Sequence, residues 1–285
     1  MCYIYNARKA YKFYIVPIKD QWFLLHCAVR TTPPEYAQTV LSSRCLFTIA
    51  VRGRNMAIIY KERLSDSPYV ETIMHGHTAS DGSTIRPAEC HWHMVFVHEH
   101  GRTHPLIVGP LTTAGVASWK ADAEILWIKF KLGTCMPHFP TKDALNVETM
   151  LPGAPYKSFW LNGSAWQFPD FENVDTFVDQ LVRRDVLVCD PVVHAVLHDQ
   201  PHVVASRTVR HRFLCATGLT QTHIRQIIRA RRAAALLEQG VSISDTVYEV
   251  GYFDQPHLTR SLKQWVGHTP TQIIQRYVQA CSARV

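Results

Sequence analysis

The chain has 285 residues, 47% of them hydrophobic, 11% aromatic and 19% charged, with a formal net charge of +7. This supports one large or two ordinary domains around a real core and excludes a disordered chain, which is rich in charge and poor in aromatics. Apolar runs such as Trp22–Leu25 fall far short of the roughly 20 residues a membrane-spanning helix needs, and no secretory leader is read at the start.

The charge is uneven. Residues 1–55 hold eight Lys/Arg against two acids, residues 56–189 eleven against fifteen, and residues 190–285 eleven against six. Ten of the eleven basic residues in the last third are arginines, whose rigid fork matches phosphates and guanine edges. A basic segment beside an acidic one points to a nucleic-acid module joined to something else. The eight cysteines, at 2, 27, 45, 90, 135, 189, 215 and 281, form no CxxC pair. Reduced, cytosolic thiols are expected, and structural zinc is disfavoured.

In chain order, residues 1–55 carry no sustained period. They read as a doubtful extension, with Met56 as the natural start. Residues 56–189 read as a β-rich effector or dimerisation domain. Ala57–Tyr60, Trp92–Val97, Leu106–Val108 and Ile125–Leu132 are short and strand-like, with turn residues at Ser80–Ser83, His100-Gly101 and Val108–Pro110. Such spacing predicts a sandwich or barrel. Asn173 can cap a helix whose stripe is Val174, Phe177, Val178, Leu181 and Val182. That stripe fits packing on its own sheet better than a dimer contact. The domain junction is predicted near 186–191, and Asp190-Pro191 is a helix start.

Everything from 190 to 285 reads as helical. In Ser206–Thr217, Val209, Phe213 and Leu214 are the apolar side, while Arg207, Arg210 and His211 share the opposite face. Gly218 closes this helix. A helix with a wet basic face fits the major groove. A long helix follows over about His223–Gln239. Its spine is Ile224, Ile227, Ile228, Ala234 and Leu237, and Arg225, Arg229, Arg231 and Arg232 are placed to flank a DNA backbone. Ser242 and Asp245 start a third helix, stopped by Gly251. Pro256 then opens a fourth, with Leu258, Leu262 and Trp265 inside and Gln255, Thr259, Arg260 and Lys263 pointing away from them, placed for DNA contact. Helix, tight glycine turn and helix with a polar outer face make a helix-turn-helix.

Seven histidines fall between 75 and 104. His91 and His93 alternate on one strand face, as in a metal-binding HxH pair. Glu99 lies six residues after His93, slightly too far for the cupin pattern, and no later histidine completes it, so no metal or other cofactor is assigned. A cupin-like metal-dependent enzyme fused to a DNA-binding tail is the alternative function. No nucleophile turn, P-loop or dinucleotide glycine pattern is present, so no catalytic residue is named. Trp92, Trp127, Trp160 and Trp166 could line an apolar cavity or pack in the core, and the core reading is preferred for most of them.

The segments Ser206–Phe213, Ala216–Thr220, Ala230–Gly240, Gly251–Arg260 and Gly267–Pro270 resemble, in order and spacing, the AraC/XylS family of bacterial transcription regulators. The resemblance implies an all-α domain of two helix-turn-helix units joined by a long helix, each reading one major-groove segment of double-stranded DNA. It implies base contacts by Arg207, Arg210 and His211 in the first unit and by Gln255, His257 and Arg260 in the second. Three departures stand out. The stretch before the first reading helix is broken by Pro201, the capping position holds Ala205, and His211 replaces an arginine. More weakly, Asp66–Glu71, His91–Val97 and Gly109–Thr112 resemble the β-barrel-like (cupin-like) sensors of a subgroup. The implied whole is an α+β, cytoplasmic, non-enzymatic regulator. Its expected partners are DNA, a small-molecule effector, RNA polymerase if it activates, and a second copy of itself, with no membrane.

Overall fold

The computed structural model describes residues 3–6, 9–18, 21–27, 47–50, 58–139, 141–197, 200 and 203–282. The expectation that residues 1–55 are a doubtful extension, with a start at Met56, falls for the most part on residues outside those described; strands are described at 3–6, 9–18, 21–27 and 47–50.

The first part of the chain is β-rich. Its elements are β1 (Tyr3–Asn6), β2 (Lys9–Ile18), β3 (Gln21–Cys27), β4 (Phe47–Ala50), β5 (Ile58–Leu64), β6 (Val70–Thr78), β7 (Gly82–Arg86), β8 (His93–Glu99), β9 (Arg102–Val108), β10 (Gly115–Trp119), β11 (Glu124–Phe130) and β12 (Thr134–Cys135). A single turn, α1 (Thr141–Ala144), is followed by β13 (Glu148–Met150), β14 (Gly153–Ala154), β15 (Ser158–Leu161), β16 (Ser164–Gln167), α2 (Val174–Arg183) and β17 (Val188–Cys189). The main sheet is antiparallel, in the order β13-β9-β8-β11-β6-β5-β4, and β7 pairs with β10 as a separate ribbon. The α+β class is as expected, but the sheet is open. Its end strands β4 and β13 do not pair with each other, so no barrel closes.

Side chains alternate across a sheet with period two, and the two faces here have different fates. Ile73, Met94, Phe96, Leu126, Ile128 and Phe130 lie on one face, in a core completed by Phe159, Phe171 and the stripe of α2. Phe159 and Phe168 stack at 5.4 Å, and Phe96 meets Phe159 edge-on at 5.5 Å. Each fully buried side chain of this size contributes roughly 1.5–3 kcal/mol. The α2 stripe thus packs on its own sheet, as its periodicity predicts. Asn173 occupies the cap position but makes no capping bond. Its side chain instead accepts from the Asp170 amide at 2.9 Å. The opposite sheet face carries Glu62, Met74, Trp127 and Val95 in one cross-strand row.

The helical part comprises α3 (Pro191–Leu197), α4 (Ser206–Thr217), α5 (Gln221–Glu238), α6 (Ile243–Val250), α7 (Gln255–Trp265) and α8 (Pro270–Ser282). Asp190 caps α3, accepting from the amides of Val192 and Val193. Ile224, Ile227, Ala230, Ala233, Ala234 and Leu237 bury the inner face of α5. Ile228, expected in that spine, is 49% exposed, because it falls one position off the stripe. Leu214 of α4 is likewise 42% exposed, and Ala216 takes the inner position. Ala88, Cys90 and Cys135 of the β-rich part share this helical core. Gly218 ends α4 at φ 72°, and a side chain there would press on Leu145. The described cysteines 90, 135, 189 and 215 are free thiols. Among the described residues no helix is long and apolar enough to cross a membrane.

Candidate nucleic-acid interface and cavity

The helix-turn-helix of α6 and α7 follows from local sequence. Ser242 caps α6 by accepting from the Asp245 amide at 3.1 Å, and its hydroxyl donates to the Asp245 carboxylate at 2.6 Å. Gly251 ends α6 at φ 73°. Asp254 then caps α7, accepting from the His257 amide at 2.7 Å. Leu258, Leu262 and Trp265 are buried, so the other face must turn outward. Gln255, Arg260 and Lys263 are exposed, and His257 and Thr259 are half-buried. His257 is partly covered because its ring meets Tyr252 edge-on at 5.1 Å. On α4, Arg207, Arg210 and His211 are all exposed, opposite buried Val209 and Phe213. The His211 ring lies 3.5 Å from the Cys215 sulfur, one turn on. Among the described residues, none of Arg207, Arg210, Arg260 and Lys263 is held in an ion pair, so each fork or ammonium is available to an anionic partner. The 18 residues of α5 form a rod about 27 Å long between the two units.

Two arginines assigned to the DNA backbone are used inside the protein instead. The Arg229 guanidinium lies 4.5 Å from the Tyr252 ring centre, and the Tyr252 hydroxyl is 2.7 Å from Ser261 Oγ. Arg231 pairs with Glu89 of the β-rich part at 2.7 Å. Arg232 pairs with Glu249 at 3.2 Å, and Arg225 is exposed.

Glu89 is the hub of a buried charge cluster that sequence reasoning missed. It also pairs with Lys129 at 3.0 Å and with Nδ1 of His91, whose Nε2 lies 3.0 Å from Glu71. Burial alone would raise the Glu89 pKa. The charges of His91, Arg231 and Lys129 hold it well below the usual carboxylate range. Burial would lower His91, but Glu89 and Glu71 raise it above its ordinary value. His93 behaves oppositely. Burial pushes it down to about 3, and its Nδ1 accepts the Trp127 indole N–H at 2.7 Å, which leaves its proton on Nε2. Both members of the HxH pair are therefore engaged by protein groups.

Beside this cluster, a cavity of about 1030 Å³ lies between the free face of the main sheet, the β7–β10 ribbon and the helices. The sheet contributes Tyr60, Glu62, Met74 and Trp127, the ribbon Trp119, and the helical part Arg231, Glu238, Val266 and Arg276. Trp92 and Trp166 are core, Trp160 is 44% exposed, and Trp127 lines the cavity. One signal was available: in Leu126–Phe130, Trp127 and Lys129 alternate with core residues and so share the other face.

The resemblance drawn from the residues is supported by comparison. Residues 203–276 match a family model described as a helix-turn-helix domain. Over 72 residues, 25% of this chain, the sequence is 35% identical to the HTH-type transcriptional regulator RipA of Corynebacterium diphtheriae. The aligned stretch spans 22% of that regulator's length. No solved structure matches the chain. The last third of the chain is a helix-turn-helix domain of the AraC type, preceded by a β-rich region.

Proposed function

We propose that the chain is a sequence-specific DNA-binding transcription regulator, with residues 190–285 as the reading domain and residues 56–189 as a sensor of a small-molecule signal. One observation carries the reading. Two helix-turn-helix units present unpaired basic side chains, Arg207 and Arg210 on α4 and Arg260 and Lys263 on α7, at the two ends of one rigid helix. Such a pair suits two adjacent major-groove segments roughly 34 Å apart. Arginine–phosphate contacts make the affinity fall steeply with salt. The cavity supports the sensing half, because its walls come from both parts of the chain. RNA polymerase, if the protein activates, and a second copy of the chain are further partners of this reading.

The test is selection of bound DNA from a random pool by the full chain at fixed salt. The expected result is an enriched motif of two blocks about one helical turn apart. Binding without enrichment would overturn sequence-specific regulation.

A further inference from the structure

Resting on that sensing role, we infer that the cavity takes an apolar organic cation, an amine or quaternary ammonium carried on a hydrophobic body. The side chains that line it include seven carboxylates and five Lys/Arg. Four of the five cations are already held in ion pairs. Lys120 pairs with Asp81, Arg86 with Glu148, and Lys129 and Arg231 with Glu89. The fifth, Arg276, is exposed and contacts the His268 ring. Of the other carboxylates, Glu71 meets His91 and Lys129, Glu99 lies 3.8 Å from His104, and Glu238 is engaged as well, which leaves Glu62. It is half-buried, holds no ion pair among the described residues, and bonds to the Thr72 hydroxyl. Burial raises its pKa and outweighs the nearby charge of Lys129, which acts the other way.

The surroundings of Glu62 fit the head and body of such a ligand. Tyr60 lies two residues away on the same strand face, and a ring beside a carboxylate attracts a cation by its quadrupole. Across the sheet, Glu62 faces Met74, and Met74 faces Trp127. Two strand spacings place Trp127 about 10 Å from Glu62. The polarisable Met74 thus floors a path from the charged end to an aromatic one. In the next row Tyr60 faces Gly76, where an added Cβ would lie 3.0 Å from that of Tyr60. The cavity volume is at the upper end of the roughly 300–1,000 Å³ of small-molecule sites. Neutral His93 adds no positive charge to oppose the ligand.

The experiment titrates the full-length protein with benzyltrimethylammonium, its neutral carbon isostere neopentylbenzene, and phenylacetate as the anionic counterpart. Binding is read by tryptophan fluorescence and by shift of the melting temperature. The cation is expected to bind, the other two to bind at least about tenfold more weakly, and Glu62→Gln to remove about tenfold of the cation's affinity while leaving the isostere unchanged. Equal or tighter binding of the isostere or of phenylacetate overturns the assignment, as does a Glu62→Gln variant that binds the cation like wild type. Fluorescence reads binding without DNA. A failed DNA selection therefore counts against the regulator reading alone, and a failed titration against the ligand class alone.

Discussion

The two reading helices are built in different ways. α7 is defined by its own neighbourhood. Asp254 caps its start, Ser242 and Gly251 bound the helix before it, and Tyr252 bonds Ser261 beneath it. α4 lacks such devices. Ala205 stands at its cap with no side-chain acceptor, and the preceding α3 has seven residues. Beyond its own helical core, α4 is tied to the β-rich part. The Trp92 indole donates to the Ala216 carbonyl at 3.1 Å and Thr141 donates to the Leu214 carbonyl at 3.2 Å, while Arg212 pairs with Asp190 at the junction. α7 also touches the β-rich part, through the carbonyls of Gln264 and Trp265, but only at its end. The second unit is thus locally specified, and the first leans on the β-rich part. A signal that shifts the β-rich part would act first on the block of DNA that α4 reads.

The strongest way to break this comparison is at Glu89. Glu89→Ala leaves Arg231, Lys129 and His91 without their shared carboxylate, and removing one partner of a buried ion network costs about 3–5 kcal/mol. Urea unfolding should show that loss. In the DNA selection the block read by α4 should degrade more than the block read by α7. Equal degradation would mean that both units depend on the β-rich part alike. Next in size is Arg260→Ala, expected to cost about 1–3 kcal/mol of specific binding and to relax one base position in the α7 block. If specific and non-specific binding fell together, Arg260 would be a phosphate contact.

The same cluster predicts a pH profile. His91 has a raised pKa, so its contribution to stability is complete below its ordinary value of 6.5 and is lost as pH climbs through the raised one. Glu89 has a lowered pKa, so its contribution is complete above 4.5 and is lost as pH falls through the depressed one. The melting temperature should be highest between these limits and decline on the alkaline side. His91→Gln should flatten that decline, and an unchanged slope in the variant would show that other groups set it.

The difference between the units also explains what was readable in the sequence. Caps, glycine stops and the stripe Leu258, Leu262, Trp265 are local signals, and α7 follows them closely. The role of α2 was readable for the same reason, since Val174, Phe177, Val178 and Leu181 keep one period against one surface. The β-rich part was harder. β7 lies where turn residues were read, because Gly82 and Ser83 pair with Trp119 and Ser118 of a strand 30 or more residues away. Glu71, Glu89, Lys129 and Arg231 come from four separate segments and converge only in the fold. Arg229 and Arg231 illustrate the cost of reading one helix alone. Their spacing on α5 permits a DNA-facing role, and tertiary partners absorb both.

The smallest effects test the comparison most finely. Asp254→Ala removes the α7 cap and should cost about 1 kcal/mol. Ala205 is the reverse case. Its backbone, at φ −60° and ψ 143°, nearly matches that of Ser242, at φ −63° and ψ 154°, which does cap. Only the oxygen is missing. Ala205→Ser should therefore add about 0.5–1 kcal/mol, read as a rise in the urea midpoint without a change in slope. If local capping is what α4 lacks, combining Ala205→Ser with Glu89→Ala should restore part of the lost α4 block in the DNA selection. A gain in stability with no recovery of that block would place the dependence of α4 in its docking on Trp92 and Thr141 rather than in its missing cap.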